Sequence, residues 1–575
     1  MSGLAARAAR FLLGLGEKRC ESWSEPLWLP MEDGTRLATL HVWPIGAVGP
    51  SGTVAPTLLV RTTSSVKPGR RGAALLGQLI AEHGYHVILQ QVRGRGDSEG
   101  RFAPFENEAR DGRTALEWTA EQRWCDGRIG LAGLGYGGYA AWAACAEAPE
   151  RVAALAVGMA CRDLHRVLYP GGSFSLWNAL ALGVGPLGED ETSIEALDLE
   201  RAVRHRPVRE ADRVALCTSD AYRSWIDHPR RDAFWDTLCP PLAAAPPPTL
   251  LLAGWFDATL EAQLEDGRAL DRAGAETRIV IGPWSNGNDA RRRPLRHRSR
   301  RWSREESWTA ATLRELVAFL DRHLRGAGSD RAGGARFWVA GAQRWREASS
   351  WPPEQAGEHR LYLRGGGAAN TARGDGRLES EPPPADETPD RFHFDPERPV
   401  PSVGGPLLGA AGGPRDQREV ETRADVLCYS SAPFDREQTL AGPVRLELHA
   451  ASSAVDSDFT AKLVDVAPDG TALLLCEGVV RARWRGLAPE EKEPVWLEPG
   501  TPERFAIELG STACLLPAGH RLRLEVSSSS FPRFDRSSNT RDDPEVAEAE
   551  AAVSAEQTVH HDAAHPSAVV LPVLD

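Results

Sequence analysis

The stretch Leu131-Ala132-Gly133-Leu134-Gly135-Tyr136-Gly137-Gly138 limits what this chain can fold into more than any other. An apolar, strand-like run precedes it (Arg128-Ile129-Gly130-Leu131-Ala132), and a helix-like run follows (Tyr139-Ala140-Ala141-Trp142-Ala143-Ala144). A strand, a tight glycine turn and a helix in direct succession lift one residue out of the top of a parallel sheet, which is the context of a nucleophile elbow. The flanking glycines let strand and helix pass closely, because no Cβ stands between them. In the order G-x-S-x-G the lifted residue is a serine; here that position is Gly135, which has no side chain.

Three readings compete for this turn: a nucleophile turn that has lost its nucleophile, a nucleotide-binding glycine turn, and a plain glycine-rich connection. Leu134 and Tyr136 are bulky where a pyrophosphate would have to approach, which counts against the second. Composition alone permits the third, but the flanking strand and helix favour the first.

At 575 residues the chain is too long for one core, so two or three domains are expected. Its 42% hydrophobic and 26% charged residues are ordinary for a soluble globular protein. A net charge of −13 argues against a general nucleic-acid binder. The nine cysteines are scattered with no C-x-x-C, which fits a reducing compartment and no zinc site. Near the N-terminus, Phe11-Leu12-Leu13-Gly14-Leu15 is too short for a signal-peptide core and fits a short amphipathic helix. No run approaches the roughly 20 apolar residues of a membrane span. A cytoplasmic protein with no membrane or nucleic-acid partner is the expectation.

Strand-like runs at Arg36–Pro44, Thr57–Thr62, His86–Val92, Val152–Met159, Thr249–Trp255 and Thr277–Pro283 alternate with helix-like runs at Gly72–Gly84, Asn107–Gln122, Leu260–Ala273 and Trp308–Leu324. This β-α alternation predicts an α/β class, a doubly wound parallel sheet. From Cys161 to about Ala245 the pattern is helical and polar, with Trp177, Trp225 and Trp235, as in a cap inserted between two strands. Beyond about Ser350 short alternating runs separated by turn residues predict an all-β sandwich of jelly-roll type. The expected domains are 1–160 with 246–350 (sheet domain), 161–245 (cap) and 351–575 (sandwich).

Several blocks, in order along nearly the whole chain, carry a resemblance. They are Gln91-Val92-Arg93-Gly94-Arg95-Gly96-Asp97-Ser98-Glu99-Gly100, Trp124-Cys125-Asp126-Gly127, Tyr169-Pro170-Gly171-Gly172, Gly254-Trp255-Phe256-Asp257, Gly282-Pro283-Trp284, Phe531-Pro532-Arg533-Phe534-Asp535 and His561-Asp562-Ala563-Ala564-His565-Pro566-Ser567. With the three-part layout, they resemble the serine hydrolases grouped as cocaine-esterase-like enzymes, X-Pro dipeptidyl-peptidases and α-amino acid ester hydrolases. The resemblance implies an α/β-hydrolase fold with a helical cap and a C-terminal jelly roll, no cofactor, and a small acyl, ester or amide ligand.

It also implies a Ser-His-Asp triad, in which serine attacks, histidine moves the proton and aspartate orients the histidine. Matched position by position, the nucleophile falls on Gly135, the acid on Asp257 and the base, expected in a G-P-W-x-H block, on Asn286. The oxyanion hole falls on the backbone N–H of Tyr136 and, where the family has a Tyr hydroxyl, on Ser64 in Arg61-Thr62-Thr63-Ser64. An amide at Asn286 is neither acid nor base near neutrality, and Gly135 has no oxygen to attack with. The expected function is therefore a non-hydrolytic pocketed binding or accessory protein. The alternative is an active acyl hydrolase or transferase with a displaced nucleophile, for which Ser64 and Ser65 are the candidates.

Other candidates read as structural. Cys125 and Cys145 flank the elbow, and Cys145 fits the packed face of the following helix. His83 and His86 bracket a strand. His560, His561 and His565 look like a metal cluster but fall in a matched jelly-roll block, which favours core or loop roles over ligation. The run from Arg291 to Arg301 stands out in an acidic chain and reads as a solvated loop, or as a docking patch for an acidic partner.

Overall fold

The computed structural model describes residues 10, 13–45, 54–67, 72–188, 192–285, 307–327, 333–485, 493–548 and 551–574. The N-terminal half is built on strands β1 (Glu21–Pro30), β2 (Arg36–Ile45), β3 (Ala55–Thr62), β4 (His86–Gln91), β5 (Cys125–Leu134), β6 (Ala154–Gly158), β7 (Thr249–Phe256), β8 (Thr277–Ser285), β9 (Gly334–Val339) and β10 (Arg344–Ala348). They form one sheet in the order β1-β2-β4-β3-β5-β6-β7-β8-β9-β10. The centre from β4 to β9 is parallel. Both edges are antiparallel, β1 and β2 on one side and β10 on the other, which the expectation of a parallel sheet did not include. A short hairpin turn joins each edge strand to its neighbour, whereas a parallel return needs a long crossover.

The buried runs of the central strands split by alternation. Leu59, Leu131, Leu155, Val157, Leu251 and Ile279 face one side with α2 (Glu108–Ala120), α3 (Tyr136–Glu147) and α4 (Leu260–Arg272). Leu58, Ala132, Ala154, Ala156, Leu250 and Val280 face the other with α1 (Ala73–Ala81) and α5 (Trp308–Arg325). Burial on both faces is why these strands read as continuous apolar runs. No helix among the described residues is long and apolar enough to cross a membrane.

Every element described between β6 and β7 is helical, including Leu176–Val184, Asp220–Asp227 and Ala233–Leu238. These helices share a core of Leu168, Phe174, Leu180, Tyr222, Trp225 and Trp235, against which Phe105 and Tyr136 of the sheet domain pack. The C-terminal part contains β11 (Ala356–Arg364), β12 (Arg377–Glu379), β13 (Asp390–Phe394), β14 (Leu427–Ser430), β15 (Gln438–Ser452), β16 (Asp458–Val466), β17 (Ala472–Arg481), β18 (Glu503–Leu516), β19 (Arg521–Ser527), β20 (Ala555–His560) and β21 (Ala568–Leu574). Their inner faces enclose Leu363, Phe394, Leu446, Phe459, Phe505, Leu524 and Val569, the core of a β-sandwich. β15 is longer than its alternating run Val444–Ala450, because Gly442 and Pro443 interrupt the pattern while the pairing with β18 continues past a bulge at Val444/Arg445.

The three parts meet at close-packed joints. A Cβ on Gly171 would lie 1.9 Å from the carbonyl oxygen of Val479 in β17, so Tyr169-Pro170-Gly171-Gly172 is a turn pressed against the sandwich. The N–H of Asp535 donates to the Phe174 carbonyl at 2.8 Å, and the N–H of Trp177 to that of Pro532 at 3.0 Å, tying cap to sandwich. Glu261 of α4 accepts from the Ser511 N–H of β18 at 2.6 Å, tying sheet domain to sandwich.

The tightest crossing is at the elbow. A Cβ on Gly133 would stand 1.9 Å from Gly137 O, and one on Gly137 2.5 Å from Arg61 O. Backbone cannot yield as a flexible side chain does, so overpacking of this kind costs at least the typical 1–3 kcal/mol, about 3 or more here. Gly133→Ala and Gly137→Ala should each lower the unfolding free energy measured in urea by that amount, with a lower midpoint, or prevent soluble folding. Gly357→Ala in β11, where a Cβ meets nothing within 4 Å, should leave the midpoint unchanged or slightly raised.

Candidate active site

Gly135 stands between the end of β5 and the start of α3 with φ 54° and ψ −123°, a backbone that favours glycine. Its N–H donates to Gly158 O at the end of β6 (2.9 Å), and its carbonyl accepts from the N–H groups of Gly138 (2.9 Å) and Tyr139 (3.1 Å). A Cβ built on Gly135 meets nothing within 4 Å, so the turn presents an unobstructed position where a side chain would point. Gly133, Gly135 and Gly138 also stand at G-x-G-x-x-G spacing. The strand–helix crossing accounts for Gly133, the approach of Ala160 and Val157 for Gly138 and the positive φ for Gly135, and Leu134 is 54% exposed beside the turn.

Asp257 follows β7, which lies two places from β5 across β6, about 10 Å along the sheet. Both residues therefore leave the C-terminal edge of the sheet, where sites of such folds collect. Asp257 is buried; its Oδ1 accepts from the N–H of Thr259 (2.8 Å) and from the Thr259 hydroxyl. Its Oδ2 is shielded from solvent and has no hydrogen-bond partner among the described residues. β8 ends at Ser285, paired with Phe256 of β7. Asn286 and the run Arg291–Arg301 lie outside the described residues.

The backbone N–H of Tyr136 belongs to the first turn of α3, whose N–H groups have no partner within the helix. The side chain of Tyr136 has a role that sequence reading missed. Its hydroxyl donates to Glu108 Oε1 (2.8 Å) and accepts from the Phe105 N–H (2.9 Å). Burial, then the Glu108 carboxylate, pushes the phenol well above its ordinary pKa, so it stays protonated. Glu108 Oε2 lies 2.7 Å from Arg61 Nη1, and both side chains are buried. Arg61 thus supports the elbow from β3. The only sequence signal for Glu108 was an acid opening a helix, which reads as an ordinary first-turn residue.

The remaining candidates fall where packing explains them. Ser64 is exposed just past β3, its N–H donating to Thr62 Oγ1 (3.0 Å); Ser65 is half-buried. Arg93 holds Asp111 through two bonds (2.9 and 2.7 Å) and Asp33 at 2.7 Å, and Arg95 lies 3.7 Å over the ring of Phe102. These two arginines make the Gln91–Gly100 block a clamp on the shoulder of the site. Cys145 is buried on α3, and burial pushes its thiol up to about 12, leaving it inert; Cys125 is half-buried. His86 Nδ1 is 2.9 Å from His41 Nε2 in a stack with Trp124, and His83 Nε2 is 3.0 Å from Arg10 Nη2.

A parallel sheet with an elbow after its central strand, an acid two strands away, a helical insertion and a C-terminal sandwich define the α/β-hydrolase class. Residues 33–287 match the family model of X-Pro dipeptidyl-peptidase (S15 family), and residues 327–570 that of the X-Pro dipeptidyl-peptidase C-terminal non-catalytic domain. Cocaine esterase of Rhodococcus sp. (strain MB1 Bresler) is 35% identical over 577 residues, covering 95% of this chain and 97% of that protein. Among solved structures, an aminopeptidase of a marine sediment Thaumarchaeota archaeon superposes with a TM-score of 0.80 at 23% identity, over 97% of each chain. An α-amino acid ester hydrolase superposes with a TM-score of 0.79 at 23% identity, over 97% of this chain and 98% of that one. This chain belongs to the cocaine-esterase and X-Pro dipeptidyl-peptidase family of serine hydrolases.

Burial raises the pKa of Asp257, against two weaker opposing hydrogen bonds from Thr259. The unfolded carboxyl ionises first, so as pH rises through this window the folded chain holds the extra proton and stability falls. Asn lacks that loss. Asp257→Asn should therefore raise Tm over wild type at about pH 8, with the gain vanishing below about pH 4, where both states are protonated. A Tm for Asp257→Asn equal to or below wild type at about pH 8 would mean that the ionised carboxylate is compensated.

Proposed function

We propose that this chain is a ligand-binding member of its family that does not hydrolyse acyl esters through a serine triad. The observation that carries this reading is Gly135 itself, in an elbow whose turn geometry is intact and whose outward position holds no nucleophile. Loss of serine or histidine from a triad each costs on the order of 10⁶ in kcat, and the two losses barely add, because the residues act as a unit. With Gly135 at one position and Asn286 matched to the other, the residues in hand can bind and orient but not attack.

The ligand we infer is a small acyl, ester or amide compound. The Tyr136 N–H at the start of α3 is a donor for an acyl oxygen, helped by the partial positive charge of the helix N-terminus. The rings of Phe102 and Phe105 meet that of Tyr136, and all three pack against the cap core, offering apolar surface for the acyl part. A second reading, hydrolysis or transfer by a displaced serine, is favoured by one observation: Ser64 is exposed at the end of β3, the strand beside β5.

A fluorophosphonate probe separates the two. The wild-type chain should remain unlabelled and should not turn over simple aryl esters. Gly135→Ser with Asn286→His should gain both labelling and esterase activity, since Asp257 already stands at the acid position. Either single change should do almost nothing, and adding Ser64→Tyr should raise the rate by about 10²–10³ if its hydroxyl donates to the oxyanion. Stoichiometric labelling of wild type, lost in Ser64→Ala or Ser65→Ala, would establish the displaced nucleophile instead.

A further inference from the structure

We propose that the outer face of the C-terminal sandwich carries a site for a divalent transition-metal ion, formed by His560, Asp562 and His565 with His449 as the fourth ligand. His560, Asp562 and His565 each place one ligand atom within 4.8 Å of the others. His449 is the Cα partner of His560 across the β15–β20 pairing. The ring of His565 sits between them, its centroid 5.3 Å from that of His560 and 5.9 Å from that of His449. His449 Nδ1 is shielded from solvent and has no hydrogen-bond partner among the described residues, a condition that ordinarily costs free energy and that a bound cation relieves.

The composition of the cluster differs from the run of histidines in the sequence. His561 turns into the core, where Nε2 lies 2.8 Å from Asp390 Oδ2, and is no part of the site. Asp562 takes its place: its Oδ1 accepts the N–H groups of Ala564 (2.8 Å) and His565 (2.9 Å), which folds the chain back and brings His565 toward His560. The Ser567 hydroxyl donates to the His560 carbonyl (2.6 Å) and accepts the His449 N–H (2.8 Å), so one side chain pins the backbone of both strands beside the cluster.

Arg504 and Arg391 are the nearby cations and Glu447 a nearby carboxylate; Arg504 is paired with Glu447 at 3.4 Å. Three imidazoles and one carboxylate suit zinc, cobalt or nickel rather than calcium or magnesium, which take oxygen ligands. Ligands on tetrahedral zinc at about 2.0–2.1 Å stand about 3.3 Å apart, so His560, Asp562 and His565 need to close by at most about 1.5 Å, and His449 joins them from the facing strand. The bound ion would clasp the entry to β21, which pairs with both β15 and β11 in the sandwich.

The test uses the untagged full-length chain, stripped with a chelator and titrated with Zn²⁺ by calorimetry and with Co²⁺ by visible absorption. The expected result is one ion per chain at micromolar or tighter affinity, tetrahedral Co²⁺ bands, and a Tm raised by Zn²⁺. His449→Ala should weaken binding at least as much as loss of an outer-shell partner does, about 10–100-fold, and His560→Ala with His565→Ala should abolish it. His560→Gln and His565→Gln, made singly, preserve size and polarity and guard against a misfolded double variant. Wild-type affinity weaker than millimolar, or stoichiometric binding undiminished in both Gln variants, overturns the site.

Discussion

The close packing of α3 onto β5, β3 and the end of β6 at Gly133, Gly137 and Gly138 is the contact on which the arrangement of the site depends. A Cβ on Gly133 would collide with the backbone of α3, one on Gly137 with the backbone of β3 at Arg61, and one on Gly138 with the Ala160 side chain just past β6. The same approach sets the turn at Gly135, anchors it to the end of β6, and aims the first N–H groups of α3 over the sheet edge. None of this needs a nucleophile. The elbow is a packing solution first, and a serine at its tip exploits a geometry that the glycines create.

That separation explains how the scaffold stands with glycine at the tip of the turn. A non-glycine residue at the tip of such a turn carries roughly 1–3 kcal/mol of backbone strain, which Gly135 avoids. Asp257 shows the opposite tendency. It is buried, and burial raises its pKa, so its charge is held at a cost in the loop that leads into α4. Glu261, four residues on, is bonded to Ser511 of β18, so the docking of the sandwich helps to set where that loop lies. An acid kept in place by packing is compatible with retention for structure or for ligand binding.

The cap and sandwich are not appendages. The Asp458–Arg481 pair at 2.9 Å is buried in the sandwich beside Ser173 of the cap, and Glu545 meets the same guanidinium at 3.2 Å. Buried charges such as these are tolerable only when paired, which makes the joint specific in register rather than merely adhesive. The Phe531–Asp535 and Tyr169–Gly172 blocks lie at this joint, so their resemblance to family blocks reflects how the parts fit as much as any chemistry.

Sequence alone determined the order of elements, because alternation and helical periodicity are local: β3, β4, β7 and α4 lie within a residue or two of their apolar runs, and β5 begins three residues before its run. It also determined what stands at position 135, and hence that a side-chain nucleophile is missing there. Sequence did not determine the antiparallel edges β1 and β10, whose half-exposed residues carry weak patterning, or the full length of β15, whose Gly-Pro interruption is overridden by long-range pairing with β18. Only tertiary structure decided that Tyr136, Glu108 and Arg61 form one linked unit under the elbow. Only it sorted His561 inward and set His560 beside His565 and opposite His449, since such groupings depend on strand register and chain return between residues far apart in the chain.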